Sequence, residues 1–182
     1  MRYFSNFTVA LISEGMEMYV KRFSELTVDE LYEILRDRSQ VFVVEQGCAY
    51  QDLDGKDERS IHIFIKEDNQ IKEDKRIKEN QINKENQLKE DNRILAYLRV
   101  IIPEVGRDTV SIGRVLTIKE ARRHGLARKL MQKGIEVAKS LAPTIEIEAQ
   151  AYLKEFYESL GFIACSDVFQ YEGRPHISMI LD

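Results

Sequence analysis

Between Ser111 and Leu130 the chain reads SIGRVLTIKEARRHGLARKL. A strand is predicted over Thr109–Thr117. It runs into a short basic loop, Arg122-Arg123-His124-Gly125-Leu126-Ala127, which opens a helix predicted over Gly125–Leu141. Gly125 and Ala127 are small enough to let backbone approach a ligand closely. Free N–H groups at a helix start point outward, and the macrodipole adds positive potential. Arg122, Arg123, Arg128 and Lys129 gather four positive charges at that end. Exposed cations at a helix N-terminus are unfavourable by roughly 0.3–1 kcal/mol each. A polyanion would offset that cost: a pyrophosphate held by the loop amides and neutralised by the arginines. The same residues equally describe a solvated basic helix start with a glycine for a tight turn, and R-x-x-G-x-A is short enough to match by chance. Neither the Walker pattern G-x-x-x-x-G-K-[ST] nor the dinucleotide pattern G-x-G-x-x-G occurs.

A second segment, QAYLKEFYESLGF over Gln150–Phe162, separates these readings. Strand, R-x-x-G-x-A, helix, strand, and then a helix bearing F-Y-E-x-x-G-F resemble the GNAT acyltransferase family. The resemblance implies a mixed α/β domain whose central sheet is mixed, mostly antiparallel and flanked by helices. It implies acetyl-CoA as cosubstrate, with Arg122, Arg123, His124, Gly125, Leu126, Ala127 and Arg128 forming the pyrophosphate loop. Main-chain groups of Val115, Leu116 and Thr117 would pair with the pantetheine arm, and Tyr157 would face the sulfur. Gln150 falls where many members carry an asparagine that touches the cofactor, and Arg123 replaces a frequent glycine. More narrowly, LRDRSQVFVVEQGCAYQDLDGKD (Leu35–Asp57), SIGRV, EAQAYLKEFYESLGF and GRPHISM are similar to the ElaA-like subgroup. The resemblance spans about Met18 to Leu181, apart from one insertion.

An N-acetyltransferase must deprotonate an ammonium, hold the amine against a thioester, stabilise an oxyanion and protonate a leaving thiolate. A backbone N–H near Leu116 or Thr117, at a strand splay, is the natural oxyanion donor. Tyr157, with a free pKa of about 10, keeps its proton at neutral pH and can act as acid. Its bland alternative is core packing, for which the neighbouring Phe156 is the better candidate. Glu146 and Glu148 share one strand face at i and i+2, so either can serve as base through water. Equally, they form a solvated outer face over buried Ile145 and Ile147. His176 lies inside a subgroup motif and is a further base candidate. His62, on an apolar strand, reads as a hydrogen-bonded core residue.

Glu45, Gln46, Tyr50 and Asp52, with Asp54 and Asp57, form an acidic, turn-prone loop. The resemblance places it on the acceptor side, and a carboxylate cluster suits a cationic amine. Arg99 and Arg114 lie inside apolar strands, where an unpaired charge is expensive. One or both are therefore expected to pair with that loop, as structure.

These residues need a mixed α and β framework. Thr27-Val28-Asp29-Glu30 is a capping box opening a helix that turns Leu31, Ile34 and Leu35 inward. Strands are predicted at Tyr19–Phe23, Ile61–Ile65, Ile94–Ile101, Thr109–Thr117 and Thr144–Ala149, with closing strands at Phe162–Tyr171 and His176–Leu181. A short helix over Lys154–Leu160 ends at Gly161. Residues 1–15 read as an extension or edge strand before a single domain over 16–182. Within that domain, residues 66–93 form a degenerate charged repeat in which eight basic and eight acidic residues cancel. The repeat reads as an extended charged β-hairpin with its turn at Lys78–Gln81. Ile77 would then oppose Ile82, Ile71 would oppose Leu88 and Ile65 would oppose Ile94.

The chain has 182 residues, 43% hydrophobic and 32% charged, which fits one packed domain with a highly charged surface. The net charge of −4, without a basic stripe, argues against nucleic acid. No apolar run approaches the ~20 residues that cross a bilayer, and the N-terminus does not read as a secretion signal. A cytoplasmic setting is expected, with Cys48 and Cys165 as thiols. Three isolated histidines argue against a metal site. The function expected is transfer of acetyl from acetyl-CoA to a primary amine, on a small molecule or peptide, by direct attack in a ternary complex. The alternative is a non-catalytic acyl-CoA-binding sensor. Oligomeric state stays open, since an exposed hairpin can pair with a second copy as a homodimer.

Overall fold

ILAYLRVI is apolar at every position but Arg99, and SIHIFIKE carries the unbroken apolar run Ile63-Phe64-Ile65, the pattern of strands covered on both faces rather than one. The computed structural model describes residues 10–13, 15–67 and 93–182, and there these runs form adjacent central strands with nearly every residue buried. The strands are β1 (Ala10–Ser13), β2 (Met16–Arg22), β3 (Ser60–Glu67), β4 (Ile94–Ile101), β5 (Thr109–Thr117), β6 (Thr144–Gln150), β7 (Ile163–Ala164), β8 (Phe169–Tyr171) and β9 (Arg174–Leu181). Their order in one sheet is β1-β2-β3-β4-β5-β6-β9-β7, with β8 on β9. Every pairing is antiparallel except that of β5 with β6. The helices are α1 (Val28–Arg38), α2 (Leu126–Lys139) and α3 (Lys154–Glu158).

The capping box forms as its spacing predicts. Glu30 N–H donates to Thr27 Oγ1 at 3.1 Å and Thr27 N–H to Glu30 Oε2 at 3.0 Å. Glu30 also receives Lys21 at 2.8 Å and Lys66 at 3.1 Å, and all three residues are buried. The Lys66 pairing accompanies a departure from the expected register. Ile65 opposes Ala96 and Ile94 opposes Lys66, with an irregularity between Ile65 and Lys66. A buried ammonium has to reach a carboxylate, and this slip accompanies its docking on Glu30. The pairs Ile71–Leu88 and Ile77–Ile82, with the turn between them, lie outside the described residues.

The expected closing strand Phe162–Tyr171 is instead two short strands. Ser178 N–H donates to the Ser166 side chain at 2.9 Å, and that hydroxyl takes the place of a ladder carbonyl. The helix before it stops at the predicted glycine. Gly161 has φ +97°, and Phe162 N–H bonds back to the Tyr157 carbonyl at 3.2 Å, which fixes where Tyr157 sits.

Helix α2 lies against β4 and β5 at Gly134, where an added Cβ would stand 2.9 Å from Leu98 Cδ2. Replacing Gly134 with valine should therefore destabilise the fold by about 1–3 kcal/mol through overpacking. Thermal unfolding reads this as a lowered midpoint, despite the better helix propensity of the new residue.

Candidate active site

Parallel β5 and β6 pair at only three positions: Thr109 with Thr144, Val110 with Ile145 and Ser111 with Glu146. Beyond Ser111 the two strands part, and the sheet opens into a V whose lips are Gly113–Thr117 and Ile147–Gln150. A bulge accompanies the parting. The β4–β5 register shifts between Tyr97 and Arg99, and Arg114 takes φ +56°, a left-handed conformation unusual for a residue with a side chain. Two polar atoms near the open end, Thr117 Oγ1 on one lip and Gln150 Oε1 on the other, are buried without a hydrogen-bond partner among the described residues. Unpartnered buried acceptors are costly, and a ligand with N–H and O–H groups would satisfy them.

The basic loop stands past the end of β5. Gly125 caps α2 at φ +73°, and an added Cβ there would meet nothing within 4 Å. Lys129 N–H to Gly125 carbonyl, at 3.2 Å, opens the helical ladder, so the amides of Leu126, Ala127 and Arg128 precede it. No acidic residue lies in this first turn. Arg123 takes φ +67°, where a glycine would sit without strain. The two flanking arginines are already engaged. Arg122 donates to the Thr117 carbonyl at 3.0 Å and to Glu45 at 2.6 Å, while Arg128 donates to Ser159 Oγ at 2.9 Å and lies over the Phe156 ring. Arg122, Arg123, His124 and Gly125 are exposed, whereas Leu126 turns inward. The amides and cations fit a pyrophosphate.

Tyr157 is buried on α3, edge-on to Phe156 and Phe162. Burial pushes its hydroxyl up to about 12, reinforced by the nearby Tyr152. The outward face of β6 carries Glu146, Glu148 and Gln150, and across the ladder Glu148 faces Ser178 and Gln150 faces His176. Glu146 accepts from Ser111 Oγ at 2.7 Å at the closed end of the V, whereas Glu148 lies just past the last paired residue. His176 Nδ1 lies 3.0 Å from the Arg174 carbonyl. A carbonyl only accepts, so in the neutral ring Nδ1 carries the hydrogen and Nε2 is left as the acceptor.

The loop after α1 crosses to the far lip. Gln150 Nε2 donates to Gln46 Oε1 at 2.8 Å, Arg174 donates to the Gln46 carbonyl, and Cys48 Sγ donates to the Glu172 carbonyl at 2.9 Å. The structure thus brings Gln46 to the cleft beside Gln150, while Glu45 is held at the basic loop by Arg122. Tyr50 and Asp52 are drawn instead into a buried ionic ring. Arg114 binds Asp52, Asp52 binds Arg38, Arg38 binds Asp57, Asp57 binds Arg99, Arg99 binds Asp54 and Asp54 returns to Arg114. Asp52 Oδ1 accepts from Arg114 Nε at 2.7 Å and from the Tyr50 hydroxyl at 2.8 Å, and its Oδ2 accepts from Arg38 Nε at 2.8 Å. Its charge is answered inside the protein, so Asp52 does not stand as a free carboxylate for an amine. Against the opposing effect of burial, the arginines hold Asp54 well below the ordinary carboxylate range and lower Asp57 as well.

The expected pairing of Arg99 and Arg114 with this loop is present. Arg38, fully buried, completes the ring, and sequence reasoning missed it although it lies four residues after Ile34 on the helix's buried side. The ring adjoins His62, whose Nε2 meets the Asp57 carbonyl at 3.0 Å and whose Nδ1 meets the Tyr97 hydroxyl at 2.8 Å. Among the described residues no three of His, Cys, Asp or Glu are grouped to hold a metal, and no helix is long and apolar enough to cross a membrane.

Residues 56–182 match the acetyltransferase (GNAT) domain family. The chain belongs to that family. A UPF0039 protein of Schizosaccharomyces pombe is 35% identical over 171 residues, 92% of this chain and 98% of its own. The protein ElaA of Escherichia coli is 35% identical over 158 residues, 86% and 90% of the two chains. The crystal structure of ElaA superposes with a TM-score of 0.73 at 32% identity, covering 92% of this chain and 99% of that one. An acyl-CoA N-acyltransferase of Pseudomonas aeruginosa superposes with a TM-score of 0.72 at 31% identity, with the same coverage. The resemblance to the ElaA-like subgroup therefore holds, and the chain is a GNAT-type acyltransferase.

Removing one member of the ionic ring leaves a buried charge unanswered. Arg38→Met should cost about 3–5 kcal/mol in chemical denaturation. His62 supplies a pH dependence. Burial holds its imidazole below the ordinary 6.5, so below that pH the unfolded chain takes up a proton that the folded chain refuses. Its contribution is complete above pH 6.5 and is lost as pH falls toward the lower folded value. His62→Gln, measured against the native chain from pH 7 to 5, should show a flatter decline in stability.

Proposed function

We propose that this GNAT protein transfers the acetyl group of acetyl-CoA to a primary amine by direct attack within a ternary complex. The observation that carries the reading is the parted pair of strands with an unpartnered buried polar atom on each lip, Thr117 Oγ1 and Gln150 Oε1, opening toward an amide-lined basic loop. A pantetheine arm is an extended chain of amides with the length and hydrogen-bonding character to lie in such a V. When bound, acetyl-CoA supplies a thioester carbon open to attack.

The chain's residues then divide the work. Amides of Leu126, Ala127 and Arg128 hold the pyrophosphate, and Arg123 with His124 and Gly125 shape the turn around it. Backbone groups of Val115, Leu116 and Thr117 align the arm, and an N–H of Leu116 or Thr117 faces the carbonyl oxygen as negative charge develops on it. Glu148, at the mouth of the cleft, takes the ammonium proton through a water. Glu146 is the poorer candidate because Ser111 already occupies one of its oxygens, and His176 Nε2 is the other acceptor on this face. The freed amine attacks the carbonyl carbon, a C–N bond forms, the C–S bond breaks with its electron pair leaving on sulfur, and the surplus proton on the acylated nitrogen passes through water to that thiolate.

Tyr157 meets that sulfur. Its hydroxyl, up at about 12, stays protonated at neutral pH but lies well above the ~8.5 of an ordinary thiol. The gap opposes complete proton transfer, so Tyr157 acts chiefly by donating a hydrogen bond to the developing thiolate. Gln46, bonded to Gln150 at the cleft, borders the acceptor's approach, whereas Glu45 is held on Arg122 and the Tyr50 hydroxyl on Asp52.

Acetyl-CoA at 100 times its dissociation constant should stabilise the native chain by about 2.7 kcal/mol, read as a raised unfolding midpoint. Label from acetyl-CoA should also appear in at least one member of a primary-amine panel. Tyr157→Phe should lower turnover while leaving acetyl-CoA affinity nearly unchanged. Binding without transfer to any amine would favour a sensor over an enzyme, and no binding at all would remove both readings.

A further inference from the structure

Arg114 occupies two structures at once. Its backbone is the left-handed residue of the β5 bulge, φ +56°, and its side chain closes the ionic ring. The guanidinium donates to Asp52 Oδ1 at 2.7 Å and to the Asp52 carbonyl at 3.1 Å, and it stands 5.4 Å over Tyr50 and 6.0 Å over Phe42. Asp52 cannot yield, because Arg38, with no exposed side-chain surface, grips the same carboxylate at 2.8 Å and the same carbonyl at 2.9 Å. Arg38 is anchored in turn through Asp57 to Arg99 of β4. The ring therefore spans α1, β4, β5 and the loop 52–57, three arginines alternating with three aspartates and no net charge.

Chain direction at Arg114 couples the ring to the cleft. The left-handed backbone sets the direction of the Cα–Cβ bond, and that direction carries the side chain to Asp52. Were the backbone to relax to an ordinary extended conformation, the side chain would swing away and leave Asp52 and Asp54 short of a cation. The conformation costs a non-glycine residue roughly 1–2 kcal/mol. A bidentate, largely buried charge-assisted contact outweighs that, and strain of this kind persists where its surroundings over-determine it. The residues immediately after the bulge are Val115, Leu116 and Thr117, the lip of the V.

We infer that Arg114 is a positioning residue: held by the ring through Asp52, it fixes the bulge so that a lip amide faces the acyl carbonyl. This rests on the acyl-CoA reading of the cleft, and it gives the acidic loop a task in the reaction without contact with substrate. A purely structural ring would stabilise the fold and leave carbonyl polarisation unchanged once the fold is present.

The carbonyl stretch of carbonyl-¹³C-labelled acetyl-CoA, bound to the full chain and recorded by isotope-edited infrared spectroscopy, separates the two roles. In the native complex the band should be narrow and shifted to lower frequency by a defined hydrogen bond. In Arg114→Ala it should broaden and move back toward the value of free acetyl-CoA, while calorimetry still shows saturable acetyl-CoA binding, because the pyrophosphate contacts of the basic loop do not depend on the lip. Should the alanine variant fail to fold, Arg114→Lys, which keeps the charge but loses the fork, should show the same movement in smaller degree. An unmoved band in a folded, acetyl-CoA-bound variant overturns the inference alone. Absence of acetyl-CoA binding to the native chain overturns the acyl-CoA reading, and the inference falls with it.

Discussion

Two neighbouring parallel strands that stop pairing leave a row of backbone donors and acceptors facing a gap, and the rest of the molecule is arranged around that gap. β5 and β6 separate after Ser111 and Glu146. Two of the buried side-chain atoms left without partners among the described residues, Thr117 Oγ1 and Gln150 Oε1, lie on the two lips of the gap. The helix that follows β5 begins at the wide end with exposed amides and no acidic residue in its first turn. The helix that follows β6 carries the buried Tyr157. One divergence thus leaves a slot between two strands, with an exposed helix start beyond one of them and a buried tyrosine on the helix after the other.

Across β5 from β6, charge ties α1, β4, β5 and the loop 52–57 together. Isolated buried ions are among the most expensive groups a protein can carry, and they survive when paired and hydrogen-bonded. Here Arg38, Arg99 and Arg114 share Asp52, Asp54 and Asp57, so each aspartate bridges two arginines. Loss of any one member leaves each of its two neighbours a single counter-ion and the ring one uncompensated unit charge. Such a ring is rigid because its failure is costly, and it stands where the bulge turns the chain into the lip.

Much of this was legible in residue spacing. The Thr27–Glu30 capping box set the start of α1, Gly161 set the end of the turn that positions Tyr157, and the cost of a lone charge predicted where Arg99 and Arg114 would find partners. The basic loop and F-Y-E-x-x-G-F together pointed to the GNAT fold. Other features needed three dimensions. Asp52 reads as an acceptor ligand by position in the chain, yet two arginines from different elements converge on it. Arg38 hides in a helix whose pattern marks that side as buried, and only the approach of the loop explains a cation there. Lys66 sits at a strand end where solvent is the default, and its burial on Glu30 goes with a slip in the hairpin register. The left-handed bulge falls on Arg114 although Gly113 precedes it, because the side chain at 114 is the one the aspartates hold.

The most direct test of the account is a crystal structure of the chain with coenzyme A. The pyrophosphate is expected against the amides of Leu126 to Arg128, the pantetheine arm between β5 and β6 in contact with Gln150 and Val115–Thr117, and the thiol sulfur within hydrogen-bonding distance of the Tyr157 hydroxyl. Coenzyme A bound elsewhere, with the V between the two strands still empty, would contradict it.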